Sequence, residues 1–492
     1  MSEERIITIL QQIVGEDRAT ADDAEMIAYS RDQHYMFNKP MIPNYVVKPI
    51  NKGQIKQILS LANRYKIPII PLAQGVNIRG LCIPTEGGII LDMRNMNEIK
   101  ELNIEMMTAT IEPGVTVGQL VSACRKLGVR PAIPGAPATV SAFANYMLRG
   151  VYHSNPLDGI DHVLCMEIML PTGETIKTGS SAITTSYGPY CRWFGPDLTG
   201  LFQGVPGAFG IITEMTVKLY DFPEQSRFLG FGFDTWEKAT EFALEVQRRV
   251  TPNLMWLIDW LALTVVSGMF KRKDIMEKST KASMAHCTVP ILIEGDKDLV
   301  DFKLNRLKKI IEKIPPDRGV LTDIDTAIQQ PESGGAGQGM SSEEFLGGRN
   351  VAGMLKMGYY FALAFFHPLK TGPELFKIFK DVGEDNGFDR DIVSFVSTPT
   401  ATGPNNWSGQ CTYSEGELFV DQTEPGMMDR LRKFSTQSIQ IILDAKLIYS
   451  WFRPYAQVLE ITLDRAGATG LFLRKLKNLI DPNNIMNPGK FL

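Results

Sequence analysis

The residues best suited to chemistry lie in three loops of small side chains. The first, PLAQGVNIRG from Pro71 to Gly80, follows the apolar run IPIIPLA. Ala73 and Gly75 keep side-chain bulk away from backbone N–H groups, which can then approach a phosphate, and Asn77 adds a further donor. Taken alone, the segment also reads as a glycine turn after a strand. A second cluster, PGAPATVSAFAN from Pro134 to Asn145, has the same character, and a third, GVPGAFGIIT, sets Gly204, Gly207 and Gly210 before a long strand. Three such loops can wrap one extended dinucleotide, with amides from the loops and rigidity from the strands. The richer glycine run ESGGAGQGMSSEE does not match G-x-G-x-x-G and follows no strand, so it reads as a flexible loop rather than a phosphate site.

Elements able to position these loops follow from periodicity. Between Asn44 and Leu120, YVVKPI reads as a strand, GQIKQILSLANRYK as a helix, and IPIIPLA, IILDM and TATIEPG as strands, a β-α-β-β type of core. From Asp161 to Leu219, VLCMEIMLPTGETIKTG predicts a hairpin about Pro171 to Gly173, and FGIITEMTVKLY predicts one long strand. Phe222 and Pro223 mark a domain boundary. Beyond it, the helical TWEKATEFALEVQRRV and DKDLVDFKLNRLKKIIEKI alternate with the strands CTVPILIEG and GYYFALAFFHP, predicting a second α+β domain. The closing GLFLRKLKNLIDPNNIMNPGKFL reads as an amphipathic helix and a tail packed back on a domain.

The 492 residues suit two or three domains with a cleft between them. Fifty-one basic against 55 acidic residues leave a formal charge of -4, so nucleic acid is not an expected partner. The N-terminus predicts an amphipathic helix without a signal peptide's apolar core, and the longest apolar run, Met357 to Phe366, falls short of the roughly 20 residues of a membrane span. A cytoplasmic location is expected. The six cysteines are dispersed, with no C-x-x-C pair, and read as reduced core residues.

The motifs PLAQGVN, IILDMRNMNEI, TATIEPGVTVGQL, NYMLRGV, CMEIMLPTGETIKTG, FGPDLTGLFQGVPGAFGIIT and IDPNNIMNPGKF together resemble the vanillyl-alcohol oxidase/para-cresol methylhydroxylase family of FAD-linked oxidoreductases. The resemblance covers most of residues 40–223 and the C-terminus, and touches the middle of the chain chiefly at GYYFALAFFHP and before YSWFRP. It implies an α+β protein: an FAD-binding domain of two subdomains (1–223), an α+β substrate-binding cap (224–454) and a C-terminal segment returning to the FAD domain (455–492). By the same resemblance, Pro71, Leu72, Ala73, Gln74, Gly75, Val76 and Asn77 hold the pyrophosphate, and Pro134, Gly135, Ala138, Thr139, Ser141 and Asn145 line the flavin. Gly207, Gly210, Ile211 and Thr213 fall near the adenosine half or the flavin edge, and Asn487, Pro488, Gly489 and Lys490 close over the cofactor.

Where the chain departs from that pattern, the expectations change. Members that bind FAD covalently use a His or Cys in the flavin loops, or a His or Tyr in the cap. No His or Cys falls in Pro71 to Gly80 or Pro134 to Asn145, so noncovalent FAD is expected. The Tyr-Arg pair that holds a phenolate is matched by Phe452-Arg453, the aspartate near the flavin has no counterpart in PGAPATVSAFAN, and the pyrophosphate-loop tyrosine is absent from GVNIRGLC. These changes argue against a simple para-alkylphenol. Related 2-hydroxy-acid dehydrogenases use spaced histidines and a Glu-His pair for a metal; here His367 stands alone and no Glu-His dipeptide exists, so no metal is expected. His34, His153, His162 and His286 are equally solitary and read as structural.

Hydride transfer to a flavin needs a proton acceptor and positive potential over developing anionic charge. Arg453 is the candidate cation, with a cap-domain salt bridge as its alternative role. His367, Tyr413 and Tyr449 are the candidate proton acceptors or donors, while Trp407 and Trp451 either wall an aromatic pocket or pack a core. The expected function is an FAD-dependent dehydrogenase or oxidase that removes a hydride from a hydroxylated small molecule, aromatic or not. The alternatives are a 2-hydroxy-acid dehydrogenase and a noncatalytic FAD-binding assembly subunit. The expected partners are the substrate and a redox protein, whether cytochrome, iron-sulfur or electron-transfer protein; a homo-oligomer stays open.

Overall fold

A computed structural model of the protein describes residues 3–32, 41–77, 80–134, 136–148, 162–267, 285–318, 359–399, 411–421, 423–451 and 456–491. Among them, the strands form three sheets. The first holds β1 (Ala19–Thr20), β2 (Tyr45–Val47), β3 (Ile69–Leu72) and β4 (Ile89–Asp92) in the order β1-β2-β4-β3, with β2, β4 and β3 parallel. The helix Lys52–Tyr65 makes the crossover from β2 to β3. Asn51 opens it by accepting from Gln54 N at 3.0 Å, and Lys66 closes it in the left-handed conformation. Its buried face, Ile55, Ile58, Leu59 and Ala62, recurs at helical spacing and packs with the N-terminal helix Glu3–Val14 on this sheet.

The second sheet holds β5 (Ile99–Asn103), β6 (Thr108–Ile111), β7 (Val129–Pro131), β8 (Val163–Met169), β9 (Thr175–Lys177) and β10 (Ile211–Asp221). The TATIEPG strand, read from sequence as part of one core with β2 to β4, is β6 and pairs with β10 here instead. The reason is the connection: β5 and β6 are antiparallel neighbours and can close through a short turn, whereas extending the parallel sheet would need a crossover. The hairpin about Pro171 to Gly173 joins β8 to β9, and the long strand is β10.

The sheet changes at residues 222–224. The third sheet holds β11 (Gln225–Phe233), β12 (Leu254–Met255), β13 (Leu257–Asp259), β14 (Cys287–Gly295), β15 (Tyr359–His367), β16 (Val393–Thr398), β17 (Thr412–Val420) and β18 (Ser450–Trp451). Its main path is β11-β14-β13-β16-β17-β15-β18. Strand alternation gives it two faces. Phe231, Phe233, Val289, Ile291, Phe365 and Phe395 on one face pack in a core with the helices Trp236–Arg249, Lys297–Lys313, Gly372–Asp385 and Met427–Asp444. Leu254, Trp256, Ile258, Leu292 and Val396 on the other face join a core with Val140, Phe143 and Tyr146 of the second subdomain. A buried Arg130 to Glu294 ion pair at 2.9 Å also links β7 to β14. No helix of the described residues is long and apolar enough to cross a membrane.

Candidate cofactor and substrate site

The C-terminal ends of parallel strands gather loops on one side of a sheet, where ligands commonly bind. Pro71 lies at the end of β3, where the loop of residues 73–80 begins, and the 205–210 loop lies directly against it. A Cβ on Gly207, whose φ is +71°, would come within 2.2 Å of Pro71 Cγ. Gly210 is equally confined, since a Cβ there would meet the Met169 carbonyl at 2.7 Å. Gly75 differs: its φ of +73° favours glycine, but the nearest atoms to an added Cβ are ordinary contacts on Leu72. Its need is conformational, not steric.

The tail binds these loops together. Its Ile485 carbonyl accepts from Ile69 N at 2.6 Å, and Asn487 N donates to the Ile69 carbonyl at 2.9 Å, which places the tail beside β3. Asn487 Nδ2 donates to the carbonyls of Leu81 at 3.1 Å and Pro206 at 2.6 Å, tying the β3 loop to the glycine loop. Thr85 Oγ1 donates to the Pro488 carbonyl at 2.7 Å. In the helix Ala468–Ile480, buried Lys477 donates to Asp481 Oδ2 at 2.6 Å, the Ala208 carbonyl at 2.8 Å and the Met486 carbonyl at 3.0 Å.

The second cluster adjoins this assembly. Gly114, which accepts from Gln74 Nε2 at 2.6 Å, follows Pro113, which accepts from Ser141 Oγ at 2.8 Å. Met147 accepts from Gly204 N at 2.8 Å. Gly75, Val76, Ala138 and Thr139 are exposed, Asn77 and Asn145 half-buried, and Pro134 buried. Gly135 lies outside the described residues.

Three residues expected at the cofactor have structural occupations. Ser141 Oγ accepts from Ala144 N at 2.9 Å while donating to Pro113, so it caps a short helix. Thr213 is fully buried and donates to Glu167 Oε1 at 2.8 Å; Glu167 is in turn paired with Lys52. Ile211 packs in the core of the first subdomain.

At this site, two features mark unfilled bonding capacity. Asn487 Oδ1 is buried with no hydrogen-bond partner. Lys490 is buried beside Asp32 and Cys82, its Nζ makes no described hydrogen bond or ion pair, and burial holds its pKa below the usual lysine value. Burial likewise pushes the Cys82 thiol up to about 12, so it stays neutral. A buried acceptor, a buried cation and exposed main chain free of bulky side chains fit a large anionic cofactor with its own donors.

On the substrate side, strand register separates the candidates. Phe366 and Tyr413 face each other on the side of the third sheet that fronts the second subdomain, while His367 and Thr412 point to the helix side. His367 is buried there, with Nδ1 2.8 Å from the Pro368 carbonyl and Nε2 2.6 Å from Ser414 Oγ. Both nitrogens are occupied and the ring faces away from the domain interface, so the expected proton-acceptor role does not suit it. Trp451 packs edge-on against Phe365 in the helix-side core, which makes it a core residue rather than a pocket wall. Tyr449 is 61% exposed and belongs to the surface. His162 contacts Tyr220 OH at 2.8 Å, and His286 is exposed. Arg453, Phe452, Trp407, His34, His153 and the run 332–344 lie outside the described residues. A polar cavity of about 240 Å³ beside β1, lined by Gln11, Arg18, Glu25 and Lys48, sits at the opposite edge of the first sheet from β3.

Burial holds the His367 pKa down at about 3. Below the unfolded value of about 6.5, the unfolded chain takes up a proton that the folded chain refuses until about pH 3, so folding stability falls with pH across that window. The slope from this one group is about 1.4 kcal/mol per pH unit. His367→Gln is expected to remove that component from acid unfolding curves and to keep turnover. A tenfold or greater loss of turnover (~1.4 kcal/mol) at unchanged FAD content would return His367 to the reaction.

Comparisons with known proteins agree with this architecture. The FAD binding domain family matches residues 43–179, and the C-terminal domain family of FAD linked oxidases matches residues 465–491. Glycolate oxidase subunit GlcD of Bacillus subtilis is 25% identical over 489 residues, spanning 98% of this chain and 95% of that protein. The mitochondrial D-lactate dehydrogenase [cytochrome] of Arabidopsis thaliana is 29% identical over 56% of this chain, but the match spans only 47% of that relative. The 4-cresol dehydrogenase [hydroxylating] flavoprotein subunit of Pseudomonas putida is 28% identical, with 41% of this chain and 40% of that protein covered. The crystal structure of p-cresol methylhydroxylase with substrate bound superposes with a TM-score of 0.83 at 19% identity, covering 99% of this chain and 96% of that one. The chain thus carries the FAD binding domain and the C-terminal domain of FAD linked oxidases, is an FAD-dependent oxidoreductase, and shares the fold of p-cresol methylhydroxylase.

Proposed function

We propose that the chain binds FAD noncovalently within residues 1–223, closed by the 455–492 segment, and oxidises a hydroxylated small molecule beneath a cap formed by 224–454. The observation that carries this reading is the convergence of the β3 loop, the 205–210 loop and the tail around Asn487 and Lys490, where Asn487 Oδ1 and Lys490 Nζ have no described hydrogen-bond partner. Main-chain groups of residues 71–77, with Asn77 and Lys490, would hold the pyrophosphate. Gly207 and Gly210 would admit the cofactor's edge, while Pro134, Gly135, Ala138, Thr139 and Asn145 would line the flavin. Bound FAD would supply a two-electron acceptor for a hydride. The chain would contribute orientation, exclusion of water, a proton acceptor and, at Arg453, a positive charge over developing negative charge.

The test is anaerobic mixing of the purified yellow protein with a panel of primary and secondary alcohols, aromatic alcohols and 2-hydroxy acids. Rapid bleaching by at least one compound is expected, and no bleaching by any would favour a noncatalytic FAD-binding subunit. Reoxidation by air would then separate oxidase from dehydrogenase. Oxidation of a 2-hydroxy acid with transfer to a redox partner is the second reading, favoured by the end-to-end match to the glycolate oxidase subunit. A cytoplasmic location and assembly with further copies of the chain belong to the same proposal.

Acid precipitation is expected to leave FAD in the supernatant, because the loops proposed at the flavin contain no His or Cys to bond it. Colour retained in the washed pellet would defeat that expectation.

A further inference from the structure

The side of the third sheet that fronts the second subdomain carries an unusual pattern. Along β17, residues alternate between the faces: Ser414, Gly416 and Leu418 turn to the helices, where a Cβ on Gly416 would strike the Phe379 ring at 2.5 Å. Tyr413, Glu415 and Glu417 turn the other way. Their cross-strand partners on β15 are Phe366, Ala364 and Ala362, and on β16 they are Thr398, Val396 and Ser394. Ala362, Ala364 and Glu417 are buried and Glu415 is half-buried, so this face places two carboxylates in an enclosed setting rather than in open solvent. Val396, directly across from Glu415, packs into the core that contains Val140, Phe143 and Tyr146, next to the loop proposed to line the flavin. Tyr413 OH donates to Glu415 Oε1, and the Tyr413 ring is held edge-on by Phe366 with centroids 5.9 Å apart.

We propose that Glu415, oriented by the Tyr413 phenol, takes the proton from the substrate hydroxyl in this site. The proposal rests on the functional reading above. The substrate carbon releases its hydrogen as a hydride, with the electron pair, to the flavin proposed as oxidant; the hydroxyl proton passes to the Glu415 carboxylate; and the carbon–oxygen bond becomes a carbonyl. The substrate loses two electrons, the oxidant gains them, and Glu415 later returns its proton to solvent. A carboxylate suits the task because its oxygens accept a proton and a fixed hydrogen bond from Tyr413 aims its lone pairs. Tyr413 acts through Glu415 and is a positioning residue.

The test uses the FAD-loaded protein and its E415Q, E415A and Y413F variants, with FAD content and far-ultraviolet circular dichroism as checks on folding. Flavin reduction by the best compound from the panel is expected to slow by about 100-fold or more in E415Q, and less in Y413F. Added formate is expected to restore part of the rate in E415A, which a purely structural role for Glu415 would not allow. Independently of turnover, benzoate titrated against tryptophan fluorescence should bind E415Q about tenfold more tightly than wild type, because a like charge has been removed, whereas benzyl alcohol should bind both alike. Full-rate reduction in E415Q, or no formate rescue in a folded E415A, would overturn the proposal. Equal benzoate affinity would overturn the placement of Glu415 at the ligand even if no substrate were found, whereas a wild-type flavin that nothing reduces would count against the functional reading instead.

Discussion

Gly207→Val is expected to yield a folded but colourless protein, with FAD affinity weakened roughly 30-fold or more. Two costs combine at this position. A branched side chain at φ +71° carries about 1–3 kcal/mol of backbone strain. Its Cβ would also start 2.2 Å from Pro71 Cγ, and a proline ring on a strand end cannot swing aside as a flexible side chain would. Relief must come from separating the glycine loop from the β3 loop, and overpacking of this kind typically adds about 1–3 kcal/mol. Gly128→Val is the matched control. Gly128 has φ +75° with nothing within 4 Å of an added Cβ, so it carries the conformational cost without the collision and should retain FAD. Flavin content measured on the two purified variants decides the matter. Full occupancy in Gly207→Val would mean that the contact between the loops is not part of the cofactor site.

Lys477→Met is expected to destabilise the protein by about 3–5 kcal/mol, since removing one partner strands a buried charge. The Lys477 side chain is 4% exposed and that of Asp481 is not exposed at all. Asp481 would keep its hydrogen bonds from Ile485 N and Met486 N, but the carbonyls of Ala208 and Met486 would lose their donor. Methionine preserves much of the volume, so the loss reports charge and hydrogen bonding more than a cavity. Urea unfolding followed by tryptophan fluorescence would measure the shift. Because Lys477 joins the tail to the 205–210 loop, FAD should be released at a lower urea concentration than in wild type. Adding Asp481→Asn to Lys477→Met should recover part of the stability by removing the uncompensated charge. An unchanged midpoint in the single variant would show that the tail is held by its backbone pairing with β3 and not by this ion pair.

Much of the local structure was legible in the chain because it depends on near neighbours. Ile55, Ile58, Leu59 and Ala62 announce a helix by their spacing, Asn51 announces its start, and the alternation in FGIITEMTVKLY announces β10. The glycines at 75, 207 and 210 could be singled out as conformationally special, and all three have positive φ. Cross-strand placement was not legible. TATIEPG looks the same whichever sheet accepts it, and only pairing with β10 assigns β6 to the second sheet. His367 and Tyr413 looked equally eligible for proton transfer, although a one-residue step along paired strands sends their side chains to opposite faces. The alternating TYSEGELFV did carry the signal that would have found Glu415, since Tyr413 and Glu415 must share a face.

The sequence by itself determined where its small-residue, glycine-rich loops fall, which segments are helices and strands, and, through its motifs, the likeness to FAD-linked oxidoreductases and the cofactor. Those properties reside in residue type and short spacing, which the backbone reads locally. The tertiary structure alone decided that Asn487 would bridge Leu81 and Pro206, that Lys477 would clasp Ala208, and that Ser141 and Thr213 would spend their hydroxyls on the scaffold. These assignments join groups up to 406 residues apart. Such partners are chosen by the packing of whole sheets and by the requirement that buried polar atoms be satisfied, and neither is encoded in any short stretch of chain.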